Sequence, residues 1–175
     1  QTFSMQAHSQ YIQKYKLFQS QDFDAVQERI SHYLCAHEFK QIHDCMLDVQ
    51  LYGFQLGNSA LFDLQYSAPV EVVIDAKTEF YFLRLTLDGY CQVLSENQQA
   101  SQQIGEISVS NPGRHNTIRT NQQCRNLVLK LSKADLEKHL AEKLGYRPHE
   151  ALLFDASAIN LDEYQVIVET IHYIL

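Results

Sequence analysis

Apolar and polar residues alternate between Glu79 and Leu131, in the runs EFYFLRLTLDGY, IGEISVSNPGRHNTI and NLVLKL. A period of two sends successive side chains to opposite faces of a strand. Tyr81, Leu83, Leu85 and Leu87 therefore share one face, as do Ile107 with Val109, and Leu127 with Leu129 and Leu131. Gly89, Gly105 and Pro112-Gly113 interrupt the runs where the backbone is expected to turn. The stretch reads as short strands joined by turns, a β architecture with a pocket-sized interior.

Upstream the pattern is more varied. Residues 1–20 are polar, glutamine-rich and sparsely aromatic, a poorly defined amino-terminal segment. A helix is predicted from Asp24 to Ala36, with Asp24 as its cap and Val26, Ile30, Tyr33 and Leu34 as its apolar stripe. From Met46 to Ile74 the runs MLDVQLYGF, SALFDLQYS and PVEVVI read as strands broken at Gly53, Gly57-Asn58 and Pro69.

Beyond Leu131 the period lengthens. Ser132-Lys133-Ala134-Asp135 is close to a capping box, Leu136, Leu140 and Leu144 follow at helical spacing, and Gly145 supplies a C-terminal stop. A last helix opens at Asn160, with Asp162 and Glu163 at its positive end. Its apolar positions are Tyr164, Ile167, Val168, Ile171, Ile174 and Leu175, a stripe suited either to core packing or to a dimer seam. The chain opens on Gln1 and stops within that stripe, so the expectation is an amino-terminal piece of a longer protein.

With 175 residues, 45% hydrophobic and 20% charged, the chain has the composition of one globular domain. A net charge of −7 leaves no basic footprint for nucleic acid. No apolar run approaches the roughly 20 residues of a membrane-spanning helix. Cys35, Cys45, Cys91 and Cys124 lie at scattered spacings, as expected of reduced thiols in a cytoplasmic protein.

Candidate chemistry is sparse. Gly105, Pro112-Gly113 and His115 resemble the second half of the cupin signature, but the place of its first half, Gly89 to Glu96, holds no histidine. One imidazole cannot hold a catalytic metal, so no metal or cofactor is expected. Cys35-Ala36-His37 and His43-Asp44-Cys45 bring soft ligands together without a Cys-x-x-Cys turn; packing accounts for them, with Cys35 at the end of the first helix. Nucleophile elbows and phosphate-binding glycine loops are absent. Arg84 shares a strand face with Phe80, Phe82 and Thr86. If that face points inward, its guanidinium clamps a carboxylate beside aromatic rings; if the more uniformly apolar odd face is the core, Arg84 points to water. Arg114 and Arg119 beside His115 are either an anion-binding rim or exposed loop charges, and Phe62 and Tyr66 are either core or ligand-stacking groups.

The order of several loose motifs then gains meaning. Leu34-Cys35-Ala36-His37-Glu38-Phe39, Leu64 to Val70, Phe80 to Leu83 through Gly89, and Ile104-Gly105-Glu106 together resemble the amino-terminal domain of AraC-type transcriptional regulators. Asn111 to Arg114, Cys124 to Leu129 and Phe154-Asp155 extend the resemblance over residues 24–175. It implies a mainly β fold with flanking helices: a cupin-like double-stranded β-helix, or jelly-roll barrel, followed by a helical dimerisation element. The expected division is a segment 1–20, a barrel with its leading helix over 21–131, and a linker and dimerisation region over 132–175. The expected function is effector sensing and dimerisation in a cytoplasmic bacterial transcription factor that is not an enzyme. Its DNA-binding helix-turn-helix domain lies beyond Leu175. Tyr66, Phe82, Arg84 and His115 are the candidate lining for a small effector, with a carboxylate as the favoured class. Tyr164, Ile167, Val168, Ile171 and Leu175 are the candidate homodimer seam. A metal-dependent cupin isomerase or oxygenase, and a ligand-free dimerisation module, are the competing readings.

Overall fold

The computed structural model describes residues 11–42 and 44–154, together with the backbone of residues 159–160. His43, Asp162, Glu163 and the candidate seam residues Tyr164, Ile167, Val168, Ile171 and Leu175 lie outside the described residues.

Among the described residues, ten antiparallel-paired strands build one sheet: β1 (Lys16–Ser20), β2 (His37–Gln41), β3 (Val49–Leu56), β4 (Ser59–Tyr66), β5 (Val70–Ile74), β6 (Phe80–Ser95), β7 (Gln98–Gln102), β8 (Glu106–Ser110), β9 (Asn116–Ser132) and β10 (Ile159–Asn160). Helix α1 (Phe23–Tyr33) precedes β2, and α2 (Lys133–Leu144) follows β9. The main path runs β1-β3-β4-β9-β6-β8-β10, with β5 also on β9, β2 on β5 and β7 on β6. β9 is the spine: its carboxyl-terminal half pairs with β4 and β6, and its amino-terminal half with β5 and β6. One strand that serves three others curls the sheet around a common interior.

Four local readings of the sequence are corrected. Asp22, not Asp24, caps α1, its Oδ1 accepting from Ala25 N at 2.8 Å. The helix stops at Tyr33, where Leu34 donates its N–H to Ile30 O, so Cys35 lies beyond it and His37 opens a strand. Gly53 and Gly89 break nothing, because β3 and β6 run through them. The strands are not uniformly short, since β6 has 16 residues and β9 has 17. Residues 11–20, for which the pattern gives no element, supply a turn and the edge strand β1.

The apolar alternation has two destinations. Phe62, Leu64, Tyr66, Phe82, Cys91, Val93, Ile118 and Val128 face the barrel interior, where Val26 and Ile30 of α1 join them. Leu61, Leu85, Ile107, Leu127 and Leu129 form a second cluster on the opposite face of the sheet, closed by Ile12. Tyr15 fastens that outer layer: its carbonyl accepts from Gly53 N at 2.9 Å, and its ring meets Phe54 edge-on at 5.3 Å. The odd-numbered leucine stripe of β6 is therefore the outside of the barrel, and the even-numbered face bearing Arg84 is the inside. A half-buried ion pair lies in the outer layer, where Asp63 (0% exposed) takes a bidentate contact from Arg125 at 2.5–3.1 Å.

At the end of the barrel, Ser132 Oγ accepts from Asp135 N at 3.3 Å and Gly145 closes α2 at φ 78°, as the capping pattern predicts. No residue of α2 is fully buried by the described part of the chain.

Candidate functional site

Inside the barrel is a cavity of about 40 Å³. Its walls are mainly aliphatic: Ile30 and Leu34 from α1 and its connection, Leu64, Val72, Ile74, Ile118 and Val128 from the strands. Tyr66 and Phe82 add aromatic surface, and Tyr66 stacks on Phe39 with centroids 6.0 Å apart. Four polar side chains reach the lining, namely Arg84, His37, Cys35 and Asn126.

Arg84 is 6% exposed. Its position follows from register: β6 pairs Arg84 with Val128 on one side and Ser108 on the other, and all three face the interior. Nη1 donates to Ser108 Oγ and Ser110 Oγ, both at 3.5 Å, the long limit for a hydrogen bond. Gln102, also fully buried, donates to the Arg84 carbonyl at 2.8 Å and to Glu106 O at 3.0 Å, fixing the backbone behind the guanidinium. Among the described residues no carboxylate lies within ion-pair distance of Arg84. Burial pulls its pKa down, and only the weak acids Cys91, Tyr66, Cys124 and Cys35 oppose that effect. A guanidinium stays charged under such a shift, so the cavity carries a positive charge with no matching anion of full charge.

The weak acids are shifted too. Burial pushes the Cys35 thiol up to about 11 and raises the Tyr66 phenol as well. The Cys91 thiol is drawn down, first by its hydrogen bond with Cys124 and then by Arg84. Asn126 accepts from Thr86 Oγ1 at 2.8 Å and donates to Cys124 Sγ at 3.4 Å. Burial lowers the His37 pKa, which leaves a neutral ring in the wall.

Tyr66, Phe82 and Arg84 thus meet in one cavity. His115 does not join them, because it is exposed beside the Pro112-Gly113 turn and outside the lining. Its neighbours are used at the surface, with Arg114 on Glu96 at 2.5 Å and Arg119 on Glu71 at 2.6 Å. Sequence reasoning assigned His37 to packing and missed Ser108, Ser110 and Gln102. A period-two signal was present for His37, since His37 and Phe39 alternate inward along β2. No group of three His, Cys, Asp or Glu side chains is placed to hold a metal ion among the described residues.

Comparison with known proteins agrees with this geometry. No curated protein matches the sequence. The AraC-like transcriptional activator CuxR superposes with a TM-score of 0.67 over 90% of this chain, at 11% identity, which establishes a common fold. This chain spans 59% of the CuxR chain. A cupin 2 conserved barrel domain protein from Salinispora arenicola overlays 54% of this chain and 84% of its own, at 10% identity and a TM-score of 0.43. The curled antiparallel barrel with flanking helices is accordingly the fold this chain shares with the CuxR structure. The profile of the AraC-binding-like domain matches residues 26–165, most of the chain and all of the cavity wall, and the chain belongs to that family.

Proposed function

We propose that this chain is the effector-sensing and dimerisation domain of a bacterial AraC-type transcription factor, with a small carboxylate as its effector. One observation carries the reading: Arg84 is buried in an apolar cavity and, among the described residues, has no carboxylate partner. Such a charge is costly unless a ligand completes it, and a carboxylate fits the planar fork of a guanidinium with two parallel hydrogen bonds. The aliphatic and aromatic walls call for a compact apolar body on that carboxylate.

The size of the cavity supplies the switching logic. A volume of about 40 Å³ holds roughly three waters, less than an aromatic acid needs. Occupancy therefore requires a wall to move. The wall least tied to the sheet is the end of α1, where Ile30, Leu34 and Cys35 face the cavity. It is pinned by Lys130, which donates to Tyr33 O at 3.0 Å while lying 4.1 Å over the Phe80 ring. A ligand that fits only the displaced arrangement shifts the population towards it, and differential affinity is the sole source of that shift. DNA reading would belong to a helix-turn-helix domain outside this acidic chain. The partner of the helical region would be a second copy of the chain, in the cytoplasm of the cell. Family membership supports a regulator rather than an enzyme.

The test is calorimetric titration and thermal unfolding with benzoate and hexanoate, each beside its uncharged amide. Both acids, or one, should bind and raise the melting temperature by mass action, and Arg84→Met should abolish the effect. Equal responses to acid and amide, or no response to either, would overturn the reading.

A further inference from the structure

His37 carries a second demand on the ligand. Its Nδ1 lies 3.0 Å from Cys35 O. A carbonyl oxygen can only accept, so the proton of the neutral ring sits on Nδ1. Ser31 Oγ, 3.2 Å from the same nitrogen, then accepts a second share of that N–H. Nε2 is left with a lone pair and no proton. That atom is buried, and it has no hydrogen-bond partner among the described residues. The residue is 9% exposed and lines the same cavity as Arg84.

The two anchors come from different parts of the barrel. His37 lies on β2, Arg84 on β6, and β5 and β9 stand between them in hydrogen-bonded order. Between the anchors, Asn126 has its amide oxygen turned to Thr86 Oγ1 and one of its N–H groups to Cys124 Sγ. One anchor gives hydrogen bonds and a positive charge, and the other only accepts.

Resting on the carboxylate reading above, we propose that His37 Nε2 is a specificity anchor and that the effector is a monocarboxylate bearing a hydroxyl or N–H group on its apolar body. The donor bridges to β2 while the carboxylate sits on β6. A dicarboxylate is disfavoured, since its second group would set acceptor against acceptor. A plain apolar acid leaves the buried nitrogen unsatisfied, an omission that binding sites discriminate against strongly.

The experiment compares benzoate with the three hydroxybenzoates and the three methoxybenzoates by calorimetric titration. At least one hydroxy isomer should bind about tenfold tighter than benzoate, and its methoxy counterpart, which cannot donate, should lose the advantage. In His37→Phe the ratio of the two dissociation constants should collapse towards one. The wild-type protein gives an independent readout, because histidine ¹⁵N spectra distinguish the two tautomers. The free domain should show the Nδ1–H form, and the tight hydroxy isomer alone should shift Nε2 towards its hydrogen-bonded position. Benzoate binding with no hydroxyl advantage, an advantage that survives His37→Phe, or an Nε2–H tautomer would each overturn the proposal and leave the carboxylate reading intact. Failure of every acid to bind would remove both.

Discussion

At the scale of the residue, the role proposed for Arg84 sets stability against function. Its guanidinium is removed from water and meets only two long contacts to serine hydroxyls. Replacing buried ionic groups with well-packed apolar side chains of similar volume is often neutral or stabilising, by up to about 4 kcal/mol for whole ion pairs, and a charge without a counter-ion has less to lose. Arg84→Met is therefore expected to raise the urea midpoint of the unliganded domain while removing its response to carboxylates. A lower midpoint would mean that an anion within the fold already satisfies the guanidinium. His37 acts through protons. Burial holds its pKa below the ordinary 6.5, so at acid pH the unfolded chain takes up a proton that the native ring refuses. The stability attached to this residue is complete above 6.5 and falls as the pH drops towards the folded value. Unfolding followed between pH 7 and pH 5 should show that decline, with His37→Phe flattening it. Arg84 was legible as a candidate because it shares a face with Phe80 and Phe82. Whether that face pointed inward was not legible, because the outer face of the sheet is covered too, and two apolar faces give alternation no direction. His37 was hidden by the helix stripe ahead of it, which reads on past Tyr33 until backbone geometry ends it.

At the scale of the element, β6 changes its phase midway. Phe82, Arg84 and Thr86 face the interior at even positions, yet Cys91 and Val93 do so at odd ones. The register of β6 on β9 slips between Thr86 and Asp88 and again between Gly89 and Cys91, and these bulges reset the alternation. Gly89 makes the slip feasible, with φ at 75° and the place of a Cβ only 1.9 Å from Gln123 O. Gly89→Ala should cost about 3 kcal/mol or more, or prevent folding, measured by chemical denaturation. A cost under 1 kcal/mol would show that the bulge relaxes around a side chain. Sequence patterning locates this glycine but reads it as a turn, since a bulge inside a continuous strand and a turn between two strands leave the same mark. The hairpin at Gly57-Asn58 and the caps of α2 were legible for the converse reason: their chemistry is local.

At the scale of the whole molecule, the barrel wall and the first residues of α2 are one piece of chain. β9 carries Asn126 and Val128 in the cavity lining and ends at Ser132, which is itself the α2 cap. Four residue steps of strand carry the chain from Val128 to that cap, about 13 Å at the usual rise. No loop intervenes, and the junction is braced by Ser132 N on Ser59 Oγ at 3.3 Å and Lys133 N on Glu79 O at 3.0 Å. Inserting Gly-Gly-Ser after Ser132 restores a serine cap but breaks the continuity. The insertion is expected to leave the carboxylate-induced rise in melting temperature in place and to erase any ligand-induced change in amide exchange across α2. Persistence of that change would place the route elsewhere. Mechanically, β9 has the build of a lever rather than a tether: with no loop between them, a tilt of the cavity wall would reach α2 as a rotation of the helix axis, with no slack in which a small displacement could be lost.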